Sequence, residues 1–183
     1  MAGQQSAADS LLPAIVAIAL AGASGTEIAA LTMADYDADA RALRLPGRGG
    51  RTPRTVIADP HAARVITTHL ATLHQVAKRR RTSLDPAVIP LALPSAPRTH
   101  RSHVTATAVG QHLYRALQVA GINRTGVTPG SMQDYAANRC YALTNRVEDV
   151  AELLGLVSLD AARCYIDRDW QKTWADTIRE RQD

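Results

Sequence analysis

Arg48, Arg51 and Arg54 recur every third residue in a stretch that also holds Gly47, Gly49 and Gly50. A hairpin tip that approaches phosphates needs cationic donors and glycines that let the backbone come close, and this segment has both. Its charge setting agrees. Residues 41–103 carry twelve basic residues against Asp59 and Asp85, whereas residues 1–40 carry no Lys or Arg and five acids. Residues 104–183 are nearly balanced, so the net charge of +4 is concentrated in the middle third. That distribution points to a polyanion such as DNA or RNA. The alternative for the same arginines is a solvated turn, and the basic run at 78–81 reads as a solvated helix end. Other chemistries have weaker claims. Cys140 and Cys164 fit neither a disulfide framework nor a zinc site and read as small buried hydrophobes. His100 and His103 are close in sequence, but no Cys or carboxylate pattern joins them, so we expect no metal and no cofactor. Tyr165, in Ala161-Ala162-Arg163-Cys164-Tyr165-Ile166, reads on its own residues as a core tyrosine with a satisfied hydroxyl.

The elements that carry these residues are mostly helical. Residues 11–20 predict a buried helix, and 27–33 a shorter one after a turn in which Ser24 or Thr26 is available as N-cap. Residues 35–39 read as a polar loop. Ala42–Leu45 and residues 55–58 are short β-prone runs around the glycine–arginine segment, which predicts a small antiparallel hairpin. Residues 61–80 predict an amphipathic helix with Ala63, Ile66, Leu70, Leu73 and Val76 on one face. A proline-rich loop over 82–103 follows, interrupted by a short apolar stretch at 88–93. Further helices are expected over 107–120, 132–143, Val147–Leu154, 159–166 and 170–181. The fold class is therefore α+β, mainly α-helical, with a small antiparallel hairpin or sheet near residues 42–58.

The chain of 183 residues, 46% of them apolar and none of them Phe, suits one domain with a core of small aliphatic side chains. We expect a mobile tail over residues 1–10 and a single domain over 11–183. The apolar run at 11–23 superficially resembles a signal peptide. No Lys or Arg precedes it, Asp9 does, and Pro13 lies inside it, so that reading is rejected. The run is too short to span a bilayer as a helix. A cytoplasmic protein with no membrane partner is expected, nucleoid-associated if bacterial.

Several segments, in order, resemble the tyrosine recombinase (phage integrase) family. Ala21-Gly22-Ala23-Ser24-Gly25-Thr26-Glu27-Ile28-Ala29-Ala30-Leu31 resembles the T-G-L-R-x-S-E-L-x-x-L box, with Asp35 matching the acid that follows it. Gly47-Arg48-Gly49-Gly50-Arg51-Thr52-Pro53-Arg54 resembles the G-K-G-x-K-x-R hairpin. Pro129-Gly130-Ser131-Met132-Gln133-Asp134 resembles the P-H-x-L-R-H box, and Leu153-Leu154-Gly155-Leu156-Val157-Ser158 resembles L-L-G-H-x-S. Tyr165 then follows Leu156 by the family's usual nine residues. The resemblance spans residues 11–170, and the family's separate N-terminal DNA-clamping domain is expected to be absent from this chain.

The resemblance implies a catalytic-domain fold acting on double-stranded DNA. In the family a tyrosine attacks a phosphodiester and forms a 3′-phosphotyrosyl link. Two arginines hold the phosphate, a hairpin lysine protonates the leaving oxygen, and histidines assist. On this sequence the arginines fall on Ser24 and Gln133, the lysine on Arg48, and the histidines on Gly130 and Leu156. Tyr165 alone keeps its chemical type, as candidate nucleophile. Ser24 and Gln133 can donate hydrogen bonds but carry no charge, and the arginine pKa is too high for an easy proton donor. The leading expectation is a DNA-binding protein on a degenerate recombinase fold, a regulator, accessory subunit or mobile-element remnant, with little or no strand transfer. Two alternatives stay open: an active DNA breaking-and-rejoining enzyme using Tyr165, and a protein-interaction module on the same fold. Arg48, Arg51 and Arg54 are the expected nucleic-acid contacts. The segment carrying Trp170 and Trp174, four residues apart, is expected to dock on a second copy or a partner recombinase, or to pack on its own body.

Overall fold

The computed structural model describes residues 7–80, 85, 90–92, 104–122, 124–166 and 179. Its organising element is α1, Ala7–Leu20, whose Leu11, Ala14, Ile15, Ala17, Ile18 and Ala19 are all buried. Small side chains spread around most of the helix let three later helices pack on it from several sides. Residues 7–10, expected in a mobile tail, belong to this helix. Ser10 is buried and its hydroxyl lies 2.8 Å from His69 Nδ1. Pro13 lies inside the helix, with its ring exposed.

The chain turns at Gly22, at φ +100°, into α2, Gly25–Ala30. Ser24 caps that helix and Glu27 closes a capping box, which sets the start two residues earlier than expected. A short 3-10 turn, Met33–Asp35, leads into β1, Tyr36–Asp37, where a polar loop was expected. Tyr36 is buried, and its hydroxyl donates to the Ala63 carbonyl at 3.2 Å, which holds β1 against the helix below. β2, Ala42–Leu45, pairs antiparallel with β1 and with β3, Arg54–Ile57, in a three-stranded sheet of order β1-β2-β3. Leu43, Leu45 and Val56 point into the core from one face.

Asp59 and Pro60 open α3, Pro60–Arg80: the Asp59 carboxylate accepts from the backbone N–H groups of His61 and Ala62, and proline suits the first helical position. The predicted face is the buried one, with Ala63, Ile66 and Leu73 inside, joined by His69. Of the loop expected over 82–103, the described residues include Leu91 and Ala92, both buried, and Leu91 N–H donates to the Leu31 carbonyl at 2.8 Å. The remaining helices are α4, Ala106–Val119; α5, Ser131–Thr144; α6, Val147–Leu154; and α7, Leu159–Arg163. The helix expected over 159–166 therefore ends before Tyr165. The segment carrying Trp170 and Trp174 lies outside the described residues. Two cores result. The main one joins α1, α2, the sheet, α3 and α4, and a smaller one joins α5, α6 and α7 through Ala137, Val150, Leu154, Ala162 and Ile166. Among the described residues no helix is long and apolar enough to cross a membrane.

Candidate nucleic-acid interface and tyrosine site

The β2–β3 connection is a tight, glycine-dependent loop. Gly47 and Gly49 both sit at φ +69° and Gly50 at φ +80°, conformations that side chains rarely adopt. A Cβ on Gly47 would collide with the backbone of Thr52 and Pro53, so the loop closes only around glycine. Its far end is tied to the turn after α6: Thr52 N–H donates to the Gly155 carbonyl at 2.8 Å.

The three arginines of the loop have three different fates. Arg54 is buried, with its side chain 6% exposed, against a Glu27 side chain that is 0% exposed. Its Nη1 lies 2.6 Å from Glu27 Oε1 and its Nη2 lies 3.2 Å from Oε2. Nε donates to the Leu153 carbonyl at 2.6 Å, Nη2 to the Gly22 carbonyl at 3.1 Å and Nη1 to the Thr52 carbonyl at 3.3 Å. All five N–H groups are thereby used. Arg54, expected as a nucleic-acid contact, is a neutralised strut that joins β3 to the α1–α2 turn and to α6. Gly155, at φ +68°, leaves room for it, because a Cβ there would stand 2.9 Å from Arg54 Cζ. Glu27, the acid of the first box, is thus spent on Arg54.

Arg48 is exposed beside Thr26, Ala29 and Ala30 of α2 and Val104 and Ala106 at the start of α4, and its side chain makes no hydrogen bond or ion pair with a described residue. Arg51 is half-buried and turns inward. Its Nη1 donates to the Leu154 carbonyl. Its Nη2 lies 3.2 Å from both Gln133 Oε1 and the Tyr165 hydroxyl, and its guanidinium carbon is 5.8 Å from the centre of the Tyr165 ring. The hairpin thus delivers one guanidinium to the tyrosine.

The other family positions fall as follows. Ser24 is committed to α2: its hydroxyl donates to Glu27 Oε2 at 2.9 Å and its N–H donates to the same oxygen at 2.8 Å. Gly130 precedes α5 and offers no side chain. Gln133, in the first turn of α5, meets Arg51 and leaves its Nε2 buried without a partner. Leu156 is half-buried and packs with Tyr165 against the smaller core, where a histidine would have supplied a polar group. Tyr165, just past α7, is half-buried against the smaller core rather than fully inside it, and its hydroxyl oxygen accepts from Arg51. Arg139, the nearest basic residue in sequence to Gln133, turns away and pairs with Asp59 at 3.3 Å. Arg163 pairs with Asp160 at 3.5 Å. Cys140 is half-buried, and burial pushes its thiol upward; Cys164, expected to be buried, is exposed.

Asn138 was not singled out from the sequence. Its Nδ2 donates to the Tyr165 carbonyl at 3.1 Å and to the Asp134 carbonyl at 2.8 Å, so α5 fixes the backbone of the tyrosine. The sole trace in the sequence is an asparagine inside a helix, where it is a weak helix former. Asp134, next to Gln133, has its carboxyl pushed upward by burial.

The overall fold is shared with solved recombinases. A XerA recombinase structure superposes with a TM-score of 0.70 at 17% identity, covering 93% of this chain and 57% of that one. A XerH site-specific recombinase, bound to its palindromic difH substrate in a post-cleavage complex, superposes at 0.65 and 20% identity over 98% of this chain and 48% of its own. The Tn1549 transposon integrase in complex with transposon right-end DNA superposes at 0.57 and 15% identity over 91% of this chain and 58% of its own. The chain has the tyrosine-recombinase catalytic-domain fold. It spans about half the length of these structures. No protein-family model matches the sequence, and no curated protein matches it.

Proposed function

We propose that this domain binds double-stranded DNA through the face carrying the β2–β3 loop, with Arg48 and Arg51 as cationic contacts, and has little or no strand-transfer activity. The observation that carries this reading is the population of the tyrosine site. A single guanidinium, that of Arg51, reaches the Tyr165 hydroxyl among the described residues, and Ser24, Gly130, Gln133 and Leu156 add no charge there. Phosphoryl transfer relies on positioned positive charge around the phosphate, and removing one arginine of such a clamp costs on the order of 10³ or more in rate. That the XerH structure holds its difH substrate and the Tn1549 integrase structure holds transposon end DNA supports the choice of nucleic acid as partner. A regulator, an accessory subunit or a mobile-element remnant fits this description. Self-association, or docking on a partner recombinase, through the segment that carries Trp170 and Trp174 belongs to the same proposal.

The decisive measurement is duplex affinity against salt concentration. Binding should weaken steeply as salt rises, and weaken further in Arg48→Ala; no binding at low salt would remove the reading. One observation favours a second reading, active strand transfer from Tyr165, namely the 3.2 Å contact from Arg51 to the hydroxyl. A nicked suicide duplex separates the two, because only an active enzyme leaves a covalent adduct that Tyr165→Phe abolishes.

A further inference from the structure

A cavity of about 360 Å³ opens between α5, the end of α1 and the junction of β3 with α3. That volume is in the range of small-molecule sites, and none of its lining residues belongs to the tyrosine site. α5 lines it with Ala136, Arg139, Cys140, Leu143 and Thr144, which recur three and four residues apart and so form one stripe of the helix. Leu20 and Leu153, both half-buried, add apolar wall. Two further large apolar side chains of the lining stand in water: Ile57 is 63% exposed and Leu143 is 79% exposed. A ligand that covers them removes apolar surface from solvent.

The charges of the lining do not cancel. Arg139 pairs with Asp59 at 3.3 Å, and the same carboxylate accepts from the N–H groups of His61 and Ala62. Arg41 is exposed, and its side chain makes no hydrogen bond or ion pair with a described residue. Two arginines against one aspartate leave the lining one positive charge in excess. A neutral apolar ligand would leave Arg41 unanswered. A polyanion would set charge against Ile57, Leu143 and Leu153, where it loses water and gains no partner. An apolar body with a single anionic head matches both parts of the lining.

We propose that this cavity binds a small molecule with an apolar body and one carboxylate, the body over Ile57, Leu143 and Leu153 and the head toward Arg41. The site is independent of the nucleic-acid reading.

The full chain, labelled at its methyl groups, is titrated with sodium octanoate and separately with 1-octanol, while the Ile57, Leu143 and Leu153 methyl resonances are followed by NMR. Octanoate should shift all three saturably and bind several-fold tighter than 1-octanol. Arg41 engages the fold through its backbone, whose carbonyl accepts from the Ala58 N–H at 2.8 Å, so Arg41→Glu should keep the fold. That variant should bind octanoate roughly tenfold more weakly and 1-octanol as the wild type does. Methyl groups that octanoate leaves unmoved overturn the site. Octanoate binding of equal strength in the wild type and Arg41→Glu overturns it too, because the cavity would then select no anion. Shifts of the same methyl groups with protein concentration, in the absence of octanoate, would make a second copy of the chain the occupant and overturn it as well.

Discussion

Glu27 and Arg54 show how a site position can become structural. Both are buried, and each satisfies the other: the carboxylate takes two Arg54 nitrogens and the Ser24 cap, while the guanidinium bonds three carbonyls as well. Breaking such a pair by removing one partner leaves a buried charge uncompensated, at a cost of about 3–5 kcal/mol. Glu27→Ala should lower the urea-unfolding free energy by that amount. The double variant Glu27→Ala, Arg54→Met should lose less than the sum of the two single changes, because the stranded charge is gone. A cost below about 1 kcal/mol for Glu27→Ala would mean that water already shares the pair. Ser24 follows the same logic. With its hydroxyl and N–H engaged by Glu27, an arginine at this position would forfeit the helix cap, so charge cannot be restored there without loss of stability.

At the level of elements, the sheet loop and the α6–α7 turn are held together by close backbone approach as much as by side chains. Gly155 sits at φ +68° with Arg54 Cζ and the Thr52 carbonyl oxygen each 2.9 Å from where a Cβ would be. Gly121 has nearly the same φ, +70°, and nothing within 4 Å. Left-handed strain alone costs roughly 1–2 kcal/mol, so Gly121→Ala should lose about that much. Gly155→Ala should lose clearly more, because Arg54 must also move. Equal losses in thermal denaturation would show that the loop yields freely.

A second element-level device is the seam between α1, α3 and the Leu91 segment. His69 is fully buried, and its Nε2 lies 3.0 Å from the Leu91 carbonyl, which can only accept, so Nε2 carries the proton and Nδ1 accepts from Ser10. Burial holds the His69 pKa below its usual 6.5, the Leu91 contact opposing it only in part. The unfolded chain therefore binds a proton that the folded chain resists. The stability contributed by neutral His69 is complete above pH 6.5 and is lost as pH falls from 6.5 toward the depressed folded value. The slope is at most about 1.4 kcal/mol per pH unit. Urea midpoints of the wild type should drop over that window, and those of His69→Gln should drop less. Parallel curves would place the acid sensitivity elsewhere.

For the whole molecule, the β2–β3 loop lies within the stretch of the chain richest in basic residues. The loop that carries Arg48 and Arg51 is anchored by Arg54 and Gly155, so its cations are presented on a rigid support. If Arg48 contacts a phosphate, Arg48→Ala should reduce duplex affinity about equally for all sequences and lower the slope of log affinity against log salt by about 1. A suicide duplex should trap no covalent adduct above background, whereas a Tyr165-dependent adduct would show that one guanidinium suffices.

Much of this was legible before any coordinates. Helix positions, the hairpin and the buried face of α3 follow from apolar periodicity and from glycine and proline placement, which act over a few residues. The order of the boxes pointed to the fold. Local pattern did not reveal the partners. Arg48, Arg51 and Arg54 are alike in sequence, and nothing in their spacing says that one stays in solvent, one reaches Tyr165 more than a hundred residues away, and one disappears against Glu27. β1 was read as a loop because its two residues become a strand only when β2 offers an open edge. His69 is not among the apolar residues that mark the inner face of α3, and its burial depends on Ser10 and Leu91 arriving from other segments. Periodicity along the chain sets which side chains face inward. Which inward group meets which, and so where a charge is neutralised or left available, is decided by distances across the fold that no run of neighbouring residues encodes.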